Sequence, residues 1–301
     1  MTTPTSASPS LALRAPGLRH LSCLRLNEIL LLQGSPLLGA AFAIRPPLGE
    51  HAAPLAILIV ASICLVAHVF VVNDWSNEHA DLADPNKTPR VFVTKVVDRG
   101  EMAMLGIGLL AAGLLLFSLL GPVTLGLAVG VAAFSALYSL PCFDWKGKPL
   151  LNSVAHLAGG TLHFLLGYSV GGHVDARGML IATFFALIFA AGHLMQEIRD
   201  HQGDVRNAIR TNAVVFGPRR AFGASLVLFA LAHAVLLGLA LQGTIPRALA
   251  VLAVLYAIHV RWSLNVLADG LSYTNVCRLQ TRYRALYAVV GVAMIAALWL
   301  R

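Results

Sequence analysis

Charge is scarce in this chain. Of its 301 residues only 14 are acidic and 22 are Lys or Arg, so 12% are charged while 57% are hydrophobic. Soluble domains average about 25% charged residues, and a single core of this length does not need so much apolar material. Paired cysteine is missing as well. Cys23, Cys64, Cys142 and Cys277 stand alone with no CxxC, which excludes the usual thiolate metal and redox sites and leaves four structural thiols. No run of basic and aromatic residues marks a nucleic-acid groove, so the net charge of +8 reads as membrane topology and attraction to anionic headgroups or substrates. The first 26 residues hold no acid and are rich in Ser, Thr and Pro. They are expected to form a disordered or amphipathic tail, 1–26, without the apolar core of a signal peptide, although an organellar transit peptide shares that composition.

What remains is a series of long apolar runs. Cut at charge clusters and at Gly or Pro, they give nine candidate spans, near 27–44, 53–73, 101–120, 122–140, 151–171, 178–197, 220–241, 245–263 and 284–300. Each falls within the roughly 17 to 25 residues that a bilayer helix requires. The fold class is therefore all-α, a polytopic membrane domain over 27–301. Nine spans force the loops alternately onto two sides, and all Lys and Arg except Arg45, Arg177, Arg247 and Arg301 fall on one of them. By the positive-inside rule the N-terminus and the long polar loops are expected on the cytoplasmic side, with the C-terminus on the far side.

The long polar loops, 74–100, 141–150, 198–219 and 264–283, share that cytoplasmic face, so the chemistry is expected there. The spans also pair as two sets of four plus one. In each set the second span ends in acids: "NDWSNEHADLAD" and "QEIRDHQGD", which points to duplicated halves. If the helix of the second span continues past Asn73, then Asp74, Asn77, Glu78 and Asp81 share one face. Asp200 and Asp204 are at i and i+4 in the second cluster, with Gln196 and Glu197 one turn before them. Facing clusters of oxygen ligands suit magnesium, which is commonly held by one or two carboxylates plus substrate phosphates. Asp74 and Asp81 lie about 10 Å apart along an ideal helix, so more than one ion is the simpler expectation. The bland alternative, solvated charges ending helices, suits Asp84-Pro85-Asn86, which reads as a turn. It explains less well why acids recur at equivalent places in both halves.

Basic residues surround the same face. Lys87, Arg90, Lys146 and Arg210 are the candidates for neutralising a diphosphate, whereas Lys95, Lys148 and Arg206 read as topology signals. Within the spans, His156 and His163 are two turns apart near Asn152 and are candidates to line a cavity, their alternative being interhelical hydrogen bonding. Tyr138 and Ser139 end the fourth span, where they could bond a substrate at the rim.

These residues resemble the UbiA superfamily of intramembrane prenyltransferases. Its NDxxDxxxD motif matches "NDWSNEHAD" (73–81), its YSxPxxxK-like stretch matches "YSLPCFDWKGKPLLN" (138–152), and its DxxxD motif lies in "EIRDHQGDVRNAIRTNAVVFG" (197–217). The resemblance implies nine helices around a central cavity, magnesium as cofactor, and transfer of a prenyl group from its diphosphate to an acceptor, often aromatic. By position it implies that Asn73, Asp74 and Asp81 serve the first motif and that Asp200 and Asp204 serve the second. Arg90 and Lys146 then contact diphosphate. Asn77 stands where an Asp is expected, so one ligand is neutral or is replaced by Glu78, and the usual "RPxxSG" is "RVFVTK". The segment "DPNKTPR" is similar to relatives that move phosphoribosyl groups onto polyprenyl phosphate, whereas the intact DxxxD argues against that branch.

The expected enzyme thus takes a prenyl diphosphate and a small-molecule acceptor from the lipid bilayer. A terpene cyclase that releases diphosphate without an acceptor is the alternative. A transporter is a remoter one, because transporter sites lie near the midplane rather than at a rim. Prenyl length, acceptor identity and oligomeric state have no signature in the sequence.

Overall fold

The computed structural model describes residues 16–44 and 48–299. Residues 1–15, and with them Arg14, lie outside the described residues, as do Arg45 and Arg301. Helices α1 (Pro16–Cys23), α2 (Leu26–Leu32) and α3 (Gly34–Ala43) precede α4 (Ala52–Ser76) and the short α5 (Glu78–Leu82). Then follow α6 (Arg99–Ser118), α7 (Pro122–Ser139), α8 (Leu151–Tyr168), α9 (Ala176–Arg206), α10 (Asn212–Phe216), α11 (Pro218–Leu241), α12 (Leu255–Asp269) and α13 (Tyr273–Trp299). No strand occurs among the described residues.

Eight helical segments are long and apolar enough to cross a membrane, among them Leu26–Ala43, which joins α2 to α3, and Arg247–Asp269, which ends in α12. The expected ninth, 151–171, is α8, a helix of 18 residues that falls short of the other eight in hydropathy over a membrane-length window. Asn152, Ser153, His156, Thr161 and His163 interrupt it. Its position accounts for that composition. Helix α8 packs against α3, α7 and α9, so its polar atoms meet protein rather than lipid. On α6, by contrast, Met104, Ile107 and Leu115 are 67%, 61% and 68% exposed, which is stable against acyl chains and costly against water.

Close approach of α8 depends on missing side chains. A methyl group added at Gly167 would collide with the backbone of Pro36, and one at Gly39 with the backbone of Phe164. At Gly160 it would stand 2.8 Å from Phe189 Cβ on α9. Small residues are what lets helices approach in a bilayer, where lipid is as apolar as the side chains.

The two expected halves share a packing pattern. In each, the second span packs extensively on the third: α4 on α6, and α9 on α11. Several acids outside the clusters cap helices. Asp98 and Glu101 form a reciprocal capping box that starts α6, and the Asp175 carboxylate accepts from Gly178 N at the start of α9. Charge clusters do not end the helices here: α9 runs on to Arg206 and α13 begins at Tyr273. Helix hydrogen bonding does not stop where the bilayer does, so both helices project polar turns beyond their apolar stretches.

Candidate active site

Helix α4 stops at Ser76. Asn77 leaves helical geometry with φ −99° and ψ 10°, and its side-chain Nδ2 donates to the Asn73 carbonyl at 2.7 Å. An Asn amide competes well for backbone partners and so favours helix ends. The expected continuous face over 74–81 is therefore broken, and its acids turn to separate cations. Asp74 is paired with Arg25, whose Nε lies 3.2 Å from Oδ2. Glu78 turns to Arg99 at 2.7 Å, away from the other acids. Asp81 faces Lys87 at 3.4 Å.

The break brings the first loop onto α9. Gly203 packs so closely on Asp84 that an added Cβ would stand 2.6 Å from its Oδ2, and Asn207 Nδ2 donates to Ala80 O at 3.2 Å. Asp84 Oδ1 accepts from Asn86 N at 3.0 Å, closing the turn read from the sequence. The two acid clusters then meet through one ammonium group. Lys87 Nζ lies 3.4 Å from Asp81 and 3.2 Å from Asp200. Burial works against its charge, but Asp200 and Asp81 hold its pKa above the usual lysine value. Arg199 grips the other side of Asp200 through Nε and Nη2 at 2.7 and 3.0 Å. Asp204 is 4% exposed and has no ion pair among the described residues.

Lys146 completes the rim from the opposite loop. Its Nζ donates to Asn77 Oδ1 at 2.8 Å, and burial pushes its pKa below the usual lysine value despite the opposing charge of Asp204. Left-handed backbone at Asp144 (φ 43°) and Leu150 (φ 65°) bounds this loop. Such strain persists only where neighbours hold it. Asp144 accepts from Gly147 N at 3.3 Å, and Leu150 N donates to Asn212 Oδ1 at 2.8 Å.

Beneath the rim lies a polar network with Glu197 at its hub. Asn152 Nδ2 and Asn212 Nδ2 donate to Glu197 Oε1 at 2.6 and 3.1 Å, and Ala213 N donates to Oε2 at 3.2 Å. Asn152 Oδ1 accepts in turn from Asn212 at 2.7 Å. Asn152, Glu197 and Asn212 are 0%, 3% and 4% exposed, so each bond replaces one that water cannot supply. Sequence reasoning named Asn152 but missed Asn212. It gave no partner to Glu197, although the His193 and Glu197 spacing at i and i+4 inside an apolar helix was legible. Arg25 carried no local signal, since 49 residues separate it from Asp74.

Of the other expected residues, Asn73 donates to Ser139 Oγ at 3.4 Å, and Tyr138 packs its ring on His156. Arg90 and Arg210 are exposed and form no ion pair among the described residues. His163 points elsewhere, to Ser62 Oγ at 3.5 Å.

No three His, Cys, Asp or Glu side chains converge as a metal cage among the described residues. The rim nonetheless fits magnesium. That ion keeps waters and takes one or two carboxylates together with phosphate oxygens, and Asp81 and Asp200 already face each other across a cation, the Lys87 ammonium.

A bundle of lipid-facing helices whose acids, lysines and buried amides gather at one end defines an integral membrane protein with a single polar rim. Residues 34–272 match the UbiA prenyltransferase family, and the chain belongs to that family. It is 26% identical over 200 residues to a decaprenyl-phosphate phosphoribosyltransferase of Mycolicibacterium smegmatis, covering 66% of this chain and 60% of that protein. It is 28% identical over 185 residues to a digeranylgeranylglyceryl phosphate synthase of Ignicoccus hospitalis, covering 60% of each. The chain thus spans 60% of the length of these curated relatives. A UbiA homologue of Archaeoglobus fulgidus bound to DMAPP and Mg2+ superposes with a TM-score of 0.71 at 20% identity, over 92% of this chain and 99% of that one. The apo UbiA homologue of Aeropyrum pernix K1 gives 0.72 at 19%, over 91% and 98%. These structures share the fold.

Proposed function

We propose that the protein transfers a prenyl group from a prenyl diphosphate to an acceptor within the membrane, with magnesium bound at the rim. The observation that carries this reading is the single ammonium of Lys87 held between Asp81 and Asp200. Two acid clusters that share one cation form a site suited to bridging cations, with Lys87 within it and Lys146 beside it to receive an anion. Asp74, Asp81, Asp200 and Asp204 would hold the metal, which supplies charge neutralisation of the diphosphate oxygens. Lys87 and Lys146 bind the departing diphosphate, with Arg90 and Arg210 reaching it from the exposed rim. The helices below exclude water from the allylic cation. Asp74 would exchange Arg25 for the metal, whereas Glu78, turned to Arg99 beyond the helix break, is left out of this set. An aromatic acceptor and a cytoplasmic rim belong to the same proposal, the second supported by the distribution of Lys and Arg.

The test uses purified protein, labelled dimethylallyl or geranyl diphosphate, and an acceptor panel. Diphosphate release should require magnesium, stop on chelation, and fall by about two to four orders of magnitude in Asp81→Ala and Asp200→Ala. Undiminished release in either variant sinks the assignment. The relative named a phosphoribosyltransferase and the "DPNKTPR" loop favour a second reading, phosphoribosyl transfer to a polyprenyl phosphate. Turnover of phosphoribosyl diphosphate in place of the prenyl donors would establish it, and a hydrocarbon product without acceptor would identify a cyclase.

A further inference from the structure

Just inside the rim, Tyr138, His156, Phe189 and His193 form a ring cluster to which donor binding gives no task. The rings of His156 and His193 are parallel within 8°, their centroids 3.4 Å apart. Tyr138 meets His156 edge-on at 4.9 Å, and Phe189 flanks it at 5.6 Å. His156 is one turn along α8 from Asn152, and His193 is seven residues, about 10 Å, along α9 from Asp200. The cluster therefore lies about two helical turns from the rim acids.

The hydrogen bonding of His156 sets its chemistry. Its Nδ1 is 2.8 Å from the Asn152 carbonyl oxygen. A carbonyl only accepts, so Nδ1 carries the proton, and in the neutral ring Nε2 carries a free lone pair. That nitrogen has no hydrogen-bond partner among the described residues, and His156 keeps accessible surface. Bonding to the carbonyl four residues earlier recurs at His233, but there Nε2 is sealed in the core. A proton gained at His156 Nε2 would place an imidazolium on the His193 ring. His193 Nε2 in turn stands 3.0 Å from Glu197 Oε1, which supplies the opposite charge.

We propose that this cluster is the acceptor subsite, that the acceptor presents a neutral hydroxyl as a phenol or alcohol, and that His156 Nε2 takes the hydroxyl proton as the prenyl group arrives. The inference rests on the prenyl-donor reading above. In the balanced step the acceptor oxygen bonds to the allylic carbon. The carbon–oxygen bond to diphosphate breaks with its electron pair leaving on diphosphate, and the acceptor proton passes to His156. The acceptor class follows from charge. The acid of this cluster is Glu197, whereas Lys87 and Lys146 are held at the rim by Asp81, Asp200 and Asn77. The cation whose charge reaches this cluster, Lys146, is taken by the diphosphate in the donor reading, so a carboxylate or phosphate on the acceptor would compete for it and would face the acid of Glu197. A hydroxyl can donate to Nε2 while its ring packs against Tyr138 and Phe189.

The experiment follows O-prenylation of a phenol series of graded acidity, from 4-methoxyphenol to 4-nitrophenol, by the full chain in lipid nanodiscs. Diphosphate release is read separately. In His156→Phe, which keeps a ring in the stack, the ratio of prenylated product to diphosphate released should fall about 100-fold or more for the weakly acidic phenols. It should fall far less for 4-nitrophenol, assayed at a pH that keeps it neutral, because its more acidic hydroxyl needs less help from a base. His156→Gln, read in the same way, decides the matter if the Phe variant loses its fold. An equal loss across the series, or no loss, overturns the proposal, as does a wild-type protein that releases diphosphate yet prenylates no phenol or primary alcohol. Absence of release from wild type overturns the donor reading instead, and this inference with it.

Discussion

A lysine that must bind an anion is most useful while charged, and the two rim lysines solve that problem differently. Lys87 is held charged by Asp81 and Asp200, whereas Lys146 has only an amide at 2.8 Å and loses some of its affinity for protons to burial. Below its depressed pKa Lys146 is an ammonium, and as pH rises through that value its charge is lost sooner than on a solvated lysine. The alkaline limb of kcat/KM for a diphosphate donor should therefore begin at lower pH than a free lysine would give. In Lys146→Arg the limb should move upward, because guanidinium stays charged throughout. A pH profile that Lys146→Arg leaves in place would remove Lys146 from donor binding. At this scale the sequence was informative about identity and poor about pairing. Asp81, Asp200, Lys87 and Lys146 could be chosen by residue type and motif, but the partners Arg25, Arg99 and Asn212 come from sequence distances that only the fold closes.

Among the elements, α8 carries the most and advertises the least. Its apolar face was enough to expect a span over 151–171, but nothing local distinguishes a helix wrapped by protein from one facing lipid. The glycine contacts do so. Gly167→Ala should lower the thermal midpoint markedly, since overpacking costs about 1–3 kcal/mol and here the obstruction is Pro36 backbone that cannot rotate away. Gly126→Ala in α7, with nothing within 4 Å of the new methyl, should be neutral or slightly stabilising. Melting curves in detergent for the two variants make the comparison, and equal shifts would mean that α3 and α8 are not pressed together. The boundary at Asn77 shows the opposite limit. Residues 74, 77, 78 and 81 have helical spacing, but a side chain that bonds the Asn73 carbonyl ends the helix and turns its acids apart.

Over the whole molecule, the natural cysteines offer an orientation test without mutagenesis. Cys142 is exposed, in the same loop as Lys146, whereas Cys23 is buried and Cys64 and Cys277 are partly so. If the rim is cytoplasmic, a membrane-impermeant maleimide should label Cys142 in inside-out vesicles and spare it in right-side-out ones. Reversed labelling would invert the topology. The duplicated halves were legible from motif positions, and the matched pairing of α4 with α6 and α9 with α11 gives them a physical form.

The low hydropathy of α8 has a consequence for biosynthesis. A segment carrying Asn152, His156 and His163 gains little by partitioning alone from the translocon into lipid, so its insertion depends on neighbours that satisfy those groups. Its partners lie on both sides in sequence: α3 and α7 precede it, while α9, with Glu197, follows. A nascent chain halted after Tyr168 would hold α8 in a half-solvated state until α9 emerged, and the polar interior would become bilayer-stable only when both halves had been synthesised.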